Sequence, residues 1–193
     1  MPGIKRIMGI DPGTNKMGYG VLSVDGSKLA CVVLGIIDLS KMKDPYEKLK
    51  FIFERVSALI DEYAPDEVAL ESPFFGENVQ SMLKLGRAQG VAMAAALHKD
   101  RPVFEYAPRR IKQALTGMGG AAKEQVAIML QKMLGIEYDV KKLDATDGLA
   151  VAVCHHFISS SPVKQATTRH KEHKSSSWEA FVADHPDKIK KNI

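Results

Sequence analysis

The sequence predicts an α/β fold. Short extended runs and longer stretches of helical period alternate along it, and turn signals separate them. Its 193 residues suit one domain, long enough to bury roughly two-thirds of its unfolded surface. The apolar fraction of 45% is ordinary for a globular protein.

The elements follow in order. Residues 4–9 form an apolar run that leads into the turn sequence Asp11-Pro12-Gly13-Thr14. Extended runs over 18–24 and 29–39 come next, and Asp25-Gly26 between them is a hairpin signal. From 45 to 64, Leu49, Ile52, Phe53, Val56, Leu59, Ile60 and Tyr63 recur at helical spacing until Pro65. A short strand over 67–71 carries Val68, Ala69 and Leu70 ahead of the Glu71 carboxylate. A helix is expected over 77–98 and a short strand over 102–106. Three more helices are expected over 108–116, 122–134 and 143–159, with Gly117-Met118-Gly119-Gly120 turning the chain between the first two. Residues 1–159 therefore read as the folded domain. Residues 160–193, rich in Ser, Lys and His, read as a flexible tail in which Trp178, Phe181 and Val182 have the spacing of a short docking helix.

Composition narrows the function classes. No stretch approaches the ~18–20 apolar residues of a membrane span, and residues 1–6 enter an apolar strand without a signal-peptide cleavage pattern. Cys31 and Cys154 lie in apolar runs and read as buried thiols of a cytoplasmic protein, with no zinc-like spacing. The formal charge is +4, and seven Lys/Arg against four Asp/Glu in residues 160–193 account for most of it. Within the domain, residues 101–142 hold eight Lys/Arg and four Asp/Glu, so a nucleic-acid surface would be a local patch.

The chemistry lies in four carboxylates at the edges of elements. Asp11 follows the first strand, Glu71 ends the short central one, and Asp144 and Asp147 open the last helix three residues apart, on one helical face. Where neighbouring strands run parallel they end at one edge of the sheet, and a helix N-terminus can pack across it. Four acids brought together there repel one another unless a cation intervenes. Oxygen-only donors favour Mg²⁺ or Mn²⁺. Two such ions, ~3.5–4 Å apart, suit hydrolysis of a phosphodiester. Each residue also has a simpler explanation: Asp11 as a turn former, Glu71 as a surface group, Asp144 and Asp147 as partners of a helix dipole.

Several segments together resemble the RuvC-type Holliday-junction resolvases. They are Ile10-Asp11-Pro12-Gly13-Thr14 with Gly18-Tyr19-Gly20-Val21, Glu71-Ser72-Pro73-Phe74-Phe75, Lys84 to Val91, Val103 to Pro108, and Asp144-Ala145-Thr146-Asp147-Gly148-Leu149-Ala150. The resemblance covers about residues 4–158. It implies an RNase H-like fold with a mixed central sheet flanked by helices. It also implies a homodimer that binds a four-way DNA junction and nicks two opposed strands symmetrically during recombination and repair. By position, Asp11, Glu71, Asp144 and Asp147 match the family's metal-binding catalytic carboxylates. Lys112 and Lys123 match residues that contact the DNA backbone, and Phe74 an aromatic used against bases near the junction centre. Arg109 and Arg110 flank Lys112 and are further DNA-contact candidates. The small residues of 77–98, among them Gly86, Ala88, Gly90, Ala92, Ala94, Ala95 and Ala96, fit either a subunit interface or close packing on the sheet. RuvA and RuvB, the family's branch-migration proteins, are expected partners by the same resemblance.

Two readings from other classes remain at this point. One is an ATP-binding module of the actin and sugar-kinase type, whose phosphate loop also opens with Asp-x-Gly-Thr. The other is an RNase H-like domain that binds DNA without cutting it, or cuts a different nucleic acid.

Overall fold

The computed structural model describes residues 3–73, 78–136 and 143–160, all within the unit Met1–Ser160. Phe74 and residues 161–193, with the expected helix around Trp178 and Phe181, lie outside the described residues.

Five strands form one sheet: β1 (Lys5–Asp11), β2 (Lys16–Asp25), β3 (Lys28–Asp38), β4 (Glu67–Glu71) and β5 (Val103–Tyr106), in the order β3-β2-β1-β4-β5. The hairpins β1–β2 and β2–β3 are antiparallel, the second around Asp25-Gly26, where Gly26 takes a left-handed φ of 58°. β1–β4 and β4–β5 are parallel, reached through helical crossovers. The sheet is therefore mixed, as expected, and the strands that carry Asp11 and Glu71, β1 and β4, are a parallel pair.

Five helices cover it: α1 (Pro45–Tyr63), α2 (Val79–His98), α3 (Pro108–Thr116), α4 (Lys123–Leu134) and α5 (Leu143–Ser159). α1 starts at Pro45 because Asp44 caps it, accepting the Tyr46 amide at 3.0 Å, and ends at Ala64 in a left-handed conformation just before Pro65. α2 begins at Val79, two residues later than the expected boundary, where Asn78 accepts the Ser81 amide. α3 and α4 both end at a left-handed glycine, Gly117 and Gly135.

Strand alternation divides the core into two layers. Met8, Ile10, Met17, Val21, Val68 and Leu70 pack on α1 and α2. Ile7, Leu22, Val24 and Ala69 point the other way, onto α5 and beyond it α3 and α4. Leu149 to Cys154 are buried at every position, because α5 is wedged between the sheet and the α3–α4 pair. Of the two cysteines, Cys154 is buried as expected; Cys31, on a strand with one partly open face, is only half-buried.

Candidate active site

Alternation fixes the first two carboxylates. Ile7, Gly9 and Asp11 share one face of β1, and Ala69 and Glu71 share the same face of β4, because side chains repeat every second residue. The β1–β4 register runs to Ile10↔Leu70, so Asp11 and Glu71 sit one step further, side by side at the carboxyl edge.

α5 crosses that edge at unusually short range. A Cβ on Gly148 would stand 2.5 Å from the Tyr19 Cα, and one on Gly9 would run into the Gly148 carbonyl. With hydrogen in place of side chains on both surfaces, the first turns of α5 settle directly on β1 and β2. The helix then carries Asp144 and Asp147 to the edge where Asp11 and Glu71 end.

Asp11, Glu71 and Asp147 line one cleft of about 160 Å³ together with Lys112 of α3 and Lys123 of α4. Pro108, Ile111, Val126 and Ala150 form its apolar walls. Lys123 Nζ lies 2.5 Å from Asp147 Oδ2 and 4.0 Å from Asp144 Oδ1. Asp144 stands at the rim, 45% exposed, where Lys16 Nζ approaches its Oδ2 at 3.6 Å.

The electrostatics of the cleft are those of crowded acids. Burial, then the charge of Asp147, pushes the Asp11 carboxyl up to about 7; Asp144 adds to this and Lys123 opposes it. Burial, then Asp11 and Asp147, pushes Glu71 up to about 8, against Lys123 and Lys112. Burial works against the Lys123 ammonium, but its hydrogen bond to Asp147 and the charges of Asp147, Asp11 and Asp144 raise its pKa overall. The two buried carboxyls thus hold protons readily near neutrality, because burial and the neighbouring acids disfavour their charged forms.

The remaining expected residues divide. Arg109 shares a helical face with Lys112 and packs along Gly119 beside a broad depression lined by both. Arg110, two residues before Lys112, is exposed and does not line the cleft; its carbonyl accepts a long contact, 3.9 Å, from the Cys154 thiol.

Two contributors were not singled out from the sequence. Lys16 is one; it is a neighbour of Asp144 only because β2 starts next to α5. The other is Gln89, 5% exposed on α2, which donates at 2.6 Å to Glu105 Oε1 and at 3.5 Å to the Glu71 carbonyl. A glutamine among Ala88, Ala92, Ala95 and Ala96 on a buried face was the available signal, since a buried amide needs partners.

Known proteins resemble the chain at both levels. The family described as crossover junction endodeoxyribonuclease RuvC matches residues 7–155. The RuvC of Cytophaga hutchinsonii is 55% identical over 184 residues, covering 95% of this chain and 88% of its own. That of Porphyromonas gingivalis is 55% identical over 191 residues, 98% of this chain and 99% of its own. Among solved structures, Thermus thermophilus RuvC in complex with a Holliday junction substrate superposes with a TM-score of 0.74 at 34% identity, over 80% of this chain and 94% of that one. The RNase H-like fold expected from the motifs is the fold of these neighbours, and this chain belongs to the crossover junction endodeoxyribonuclease RuvC family.

Proposed function

We propose that the protein is a divalent-metal-dependent endodeoxyribonuclease that resolves four-way DNA junctions by nicking two opposed strands. One observation carries the chemistry: Asp11, Glu71 and Asp147, from three separate elements, line a single cleft with Lys112 and Lys123. Family membership carries the substrate class.

A hard divalent cation fits the donors. All are carboxylate oxygens, and neighbouring acids crowd Asp11 and Glu71, a repulsion that a cation would relieve. Among the described residues no three acidic, His or Cys side chains stand close enough to enclose an ion. Mg²⁺ keeps several waters and takes one or two carboxylates plus substrate phosphate oxygens. Asp11, Glu71, Asp147 and the rim residue Asp144 would hold two ions, and Mn²⁺ would substitute. Such ions supply an activated water and charge compensation at the phosphorus.

The chain's own residues do the rest. Lys112 and Lys123 meet the phosphate flanking the cut as point charges, and Arg109 extends that contact across the adjoining depression. The apolar walls Ile111, Val126 and Ala150 limit water around the carboxylates and strengthen every charge interaction there. Phe74 and Arg110 remain DNA-contact candidates from the family resemblance.

The small residues of α2 fall into two groups. Ala88, Ala92, Ala95 and Ala96 are buried against α1 and the sheet and account for the internal packing. Gly86 and Gly90 face open space, beside Leu83 and Leu97, exposed at 52% and 58%. That outer strip supports a homodimer in which a second copy packs on α2. RuvA and RuvB remain proposed partners on family grounds. Among the described residues no helix is long and apolar enough to cross a membrane, and a cytoplasmic location is proposed with the DNA substrate.

The test is cleavage of a labelled synthetic four-way junction beside a matched linear duplex, in Mg²⁺ and in EDTA, with Asp11→Asn in parallel. Paired nicks on the junction alone, dependent on metal and lost in the variant while binding persists, are expected. Equal cutting of the duplex would overturn junction selectivity, and binding without cutting in either metal would overturn the nuclease.

A further inference from the structure

On the sheet face opposite α5, a cavity of about 390 Å³ opens between the start of α1 and the start of α2. Lys43, Lys48, Lys84 and Arg87 line it, and no Asp or Glu does. None of the four forms an ion pair with a carboxylate among the described residues. Lys48 is the anchored member: its ammonium donates to the Thr14 carbonyl at 2.9 Å and to Asn15 Oδ1 at 3.2 Å. The other three are exposed. Beside them the Tyr46 ring is 76% exposed, unusual for a large aromatic with no partner ring among the described residues.

Four cations around one concavity repel one another. A polyanion with several oxygens removes that cost and gains from each of them. The position of the cavity indicates which polyanion. Thr14 and Asn15 belong to the turn that directly follows Asp11, so the cavity begins where the catalytic edge ends. Between them lies a smaller hollow lined by Asp11, Pro12, Glu71 and Leu85, and Leu85 is the chain neighbour of Lys84. The hollow and the cavity are thus lined by neighbouring residues of the same two segments, 11–15 and 84–88. A free phosphate or nucleotide has no need of that proximity. A strand leaving the cut does.

We propose that this cavity is a second DNA-backbone site, in which Lys43, Lys84 and Arg87 hold phosphodiesters of the nucleic-acid strand running away from the cleavage point, with Tyr46 packing on a sugar or base beside them. The inference rests on the nuclease reading for its substrate, but not on the cleft residues. Lys112 and Lys123 address the phosphate being cut. The cavity addresses the backbone beyond it, on the other side of β1, and so rewards a substrate that bends around the edge of the sheet. A straight duplex lying on the cleft would reach only one of the two sites.

The test is a full-length Lys43→Gln/Lys84→Gln/Arg87→Gln variant. Its binding to four-way junction DNA is measured by fluorescence anisotropy across a salt series, with single-turnover cleavage at saturating protein. Lys28→Gln, at the hairpin end of the sheet far from Asp11, is the charge control, and Lys84→Arg/Arg87→Lys retains the charges. Each lost phosphate contact removes roughly 0.9 from the slope of log K against log salt, so a decrease of about 2 to 3 is expected. Junction affinity should fall at least tenfold at physiological salt, linear-duplex affinity should fall less, and the saturated cutting rate should be unchanged. The charge-retaining variant should behave as wild type, as should Lys28→Gln. A triple variant with wild-type melting temperature and an unchanged slope would overturn the proposal while leaving the nuclease reading intact. So would unchanged DNA binding together with loss of a thermal stabilisation by millimolar ATP or pyrophosphate, which would assign the cavity to a free phosphate compound. If the wild type binds the junction without cutting it, the nuclease reading fails, and the salt slopes still decide the cavity.

Discussion

The Lys123 ammonium lies 2.5 Å from Oδ2 of Asp147, so α4 places a cation against the carboxylate that α5 brings to the catalytic edge. The same charge draws down the Asp11 and Glu71 carboxyls, which burial and mutual repulsion drive up. Within the protein itself, Lys123 partly performs the task assigned to the metal.

Removing it should therefore impair chemistry more than binding. Lys123→Met is expected to lower the single-turnover nicking rate on the order of 10²-fold, the usual loss for one well-placed charge at a reacting group. Junction affinity should drop only as far as one phosphate contact requires. A rate within threefold of wild type at saturating protein and metal would remove Lys123 from the mechanism.

The raised carboxyls also fix how stability depends on pH. Asp11 moves from 3.8 to about 7 and Glu71 from 4.5 to about 8 on folding. Both folded values exceed the unfolded ones. Their protonated forms therefore favour the fold fully below about 4, and this contribution is lost as pH rises through 7 and 8. In EDTA the melting temperature should fall between pH 5 and pH 9. Millimolar Mg²⁺ should flatten the curve, and Asp11→Asn should be more stable than wild type at pH 9 in EDTA. A metal-free profile that rises over this range would contradict the crowding of acids in the cleft.

Gly9 is buried under α5 at a point where a methyl group would meet the Gly148 carbonyl and the Ala152 amide. Gly9→Ala should cost roughly 1–3 kcal/mol in urea unfolding, as overpacking does. It should also lower nicking at temperatures where the variant is still folded, because α5 has to lift away from β1 and take Asp147 with it. Normal activity in a destabilised variant would show that the helix tolerates the shift.

His155, buried on α5, bonds Tyr106 Oη through Nδ1 at 2.7 Å and Glu67 Oε2 through Nε2 at 2.6 Å. The Glu67 carboxylate, held below its usual range, accepts from Nε2, which in a neutral ring leaves Nδ1 to accept from the Tyr106 hydroxyl. His155→Leu leaves both partners short of a bond and should cost roughly 2–4 kcal/mol. The cluster joins α5 to the start of β4 and to Tyr106, and none of its three side chains lines the cleft, so nicking per folded molecule should stay within threefold of wild type. A selective loss of rate without loss of stability would assign His155 a part in the chemistry.

Much of this was legible in the chain because it rests on local rules. The strand parity that puts Asp11 with Gly9 and Glu71 with Ala69 follows from a period of two. The placement of Asp144 and Asp147 in the first turns of a helix follows from apolar spacing. What escaped depends on how separate elements dock. Asp144 and Asp147 look equivalent in sequence, yet only Asp147 lines the cleft, since the tilt of α5 on β1 and β2 decides which of them turns inward. Arg110 and Lys112 are equally basic neighbours, but a helix separates residues two apart, and only Lys112 lines the cleft. Gln89 and Lys16 act through partners that no nearby residue announces.

The seating of α5 on bare strand backbone has a consequence for the birth of the protein. Asp11 is among the first residues to leave the ribosome, and α5 is the last described element to follow. A nascent chain that has already formed its hairpins and both early helices still lacks two of its four acids and the helix that brings them. The glycine contacts that seat this helix are with β1 and β2, which are made first. The order of synthesis thus delays assembly of the proposed cutting site until the helix that carries Asp144 and Asp147 has been made.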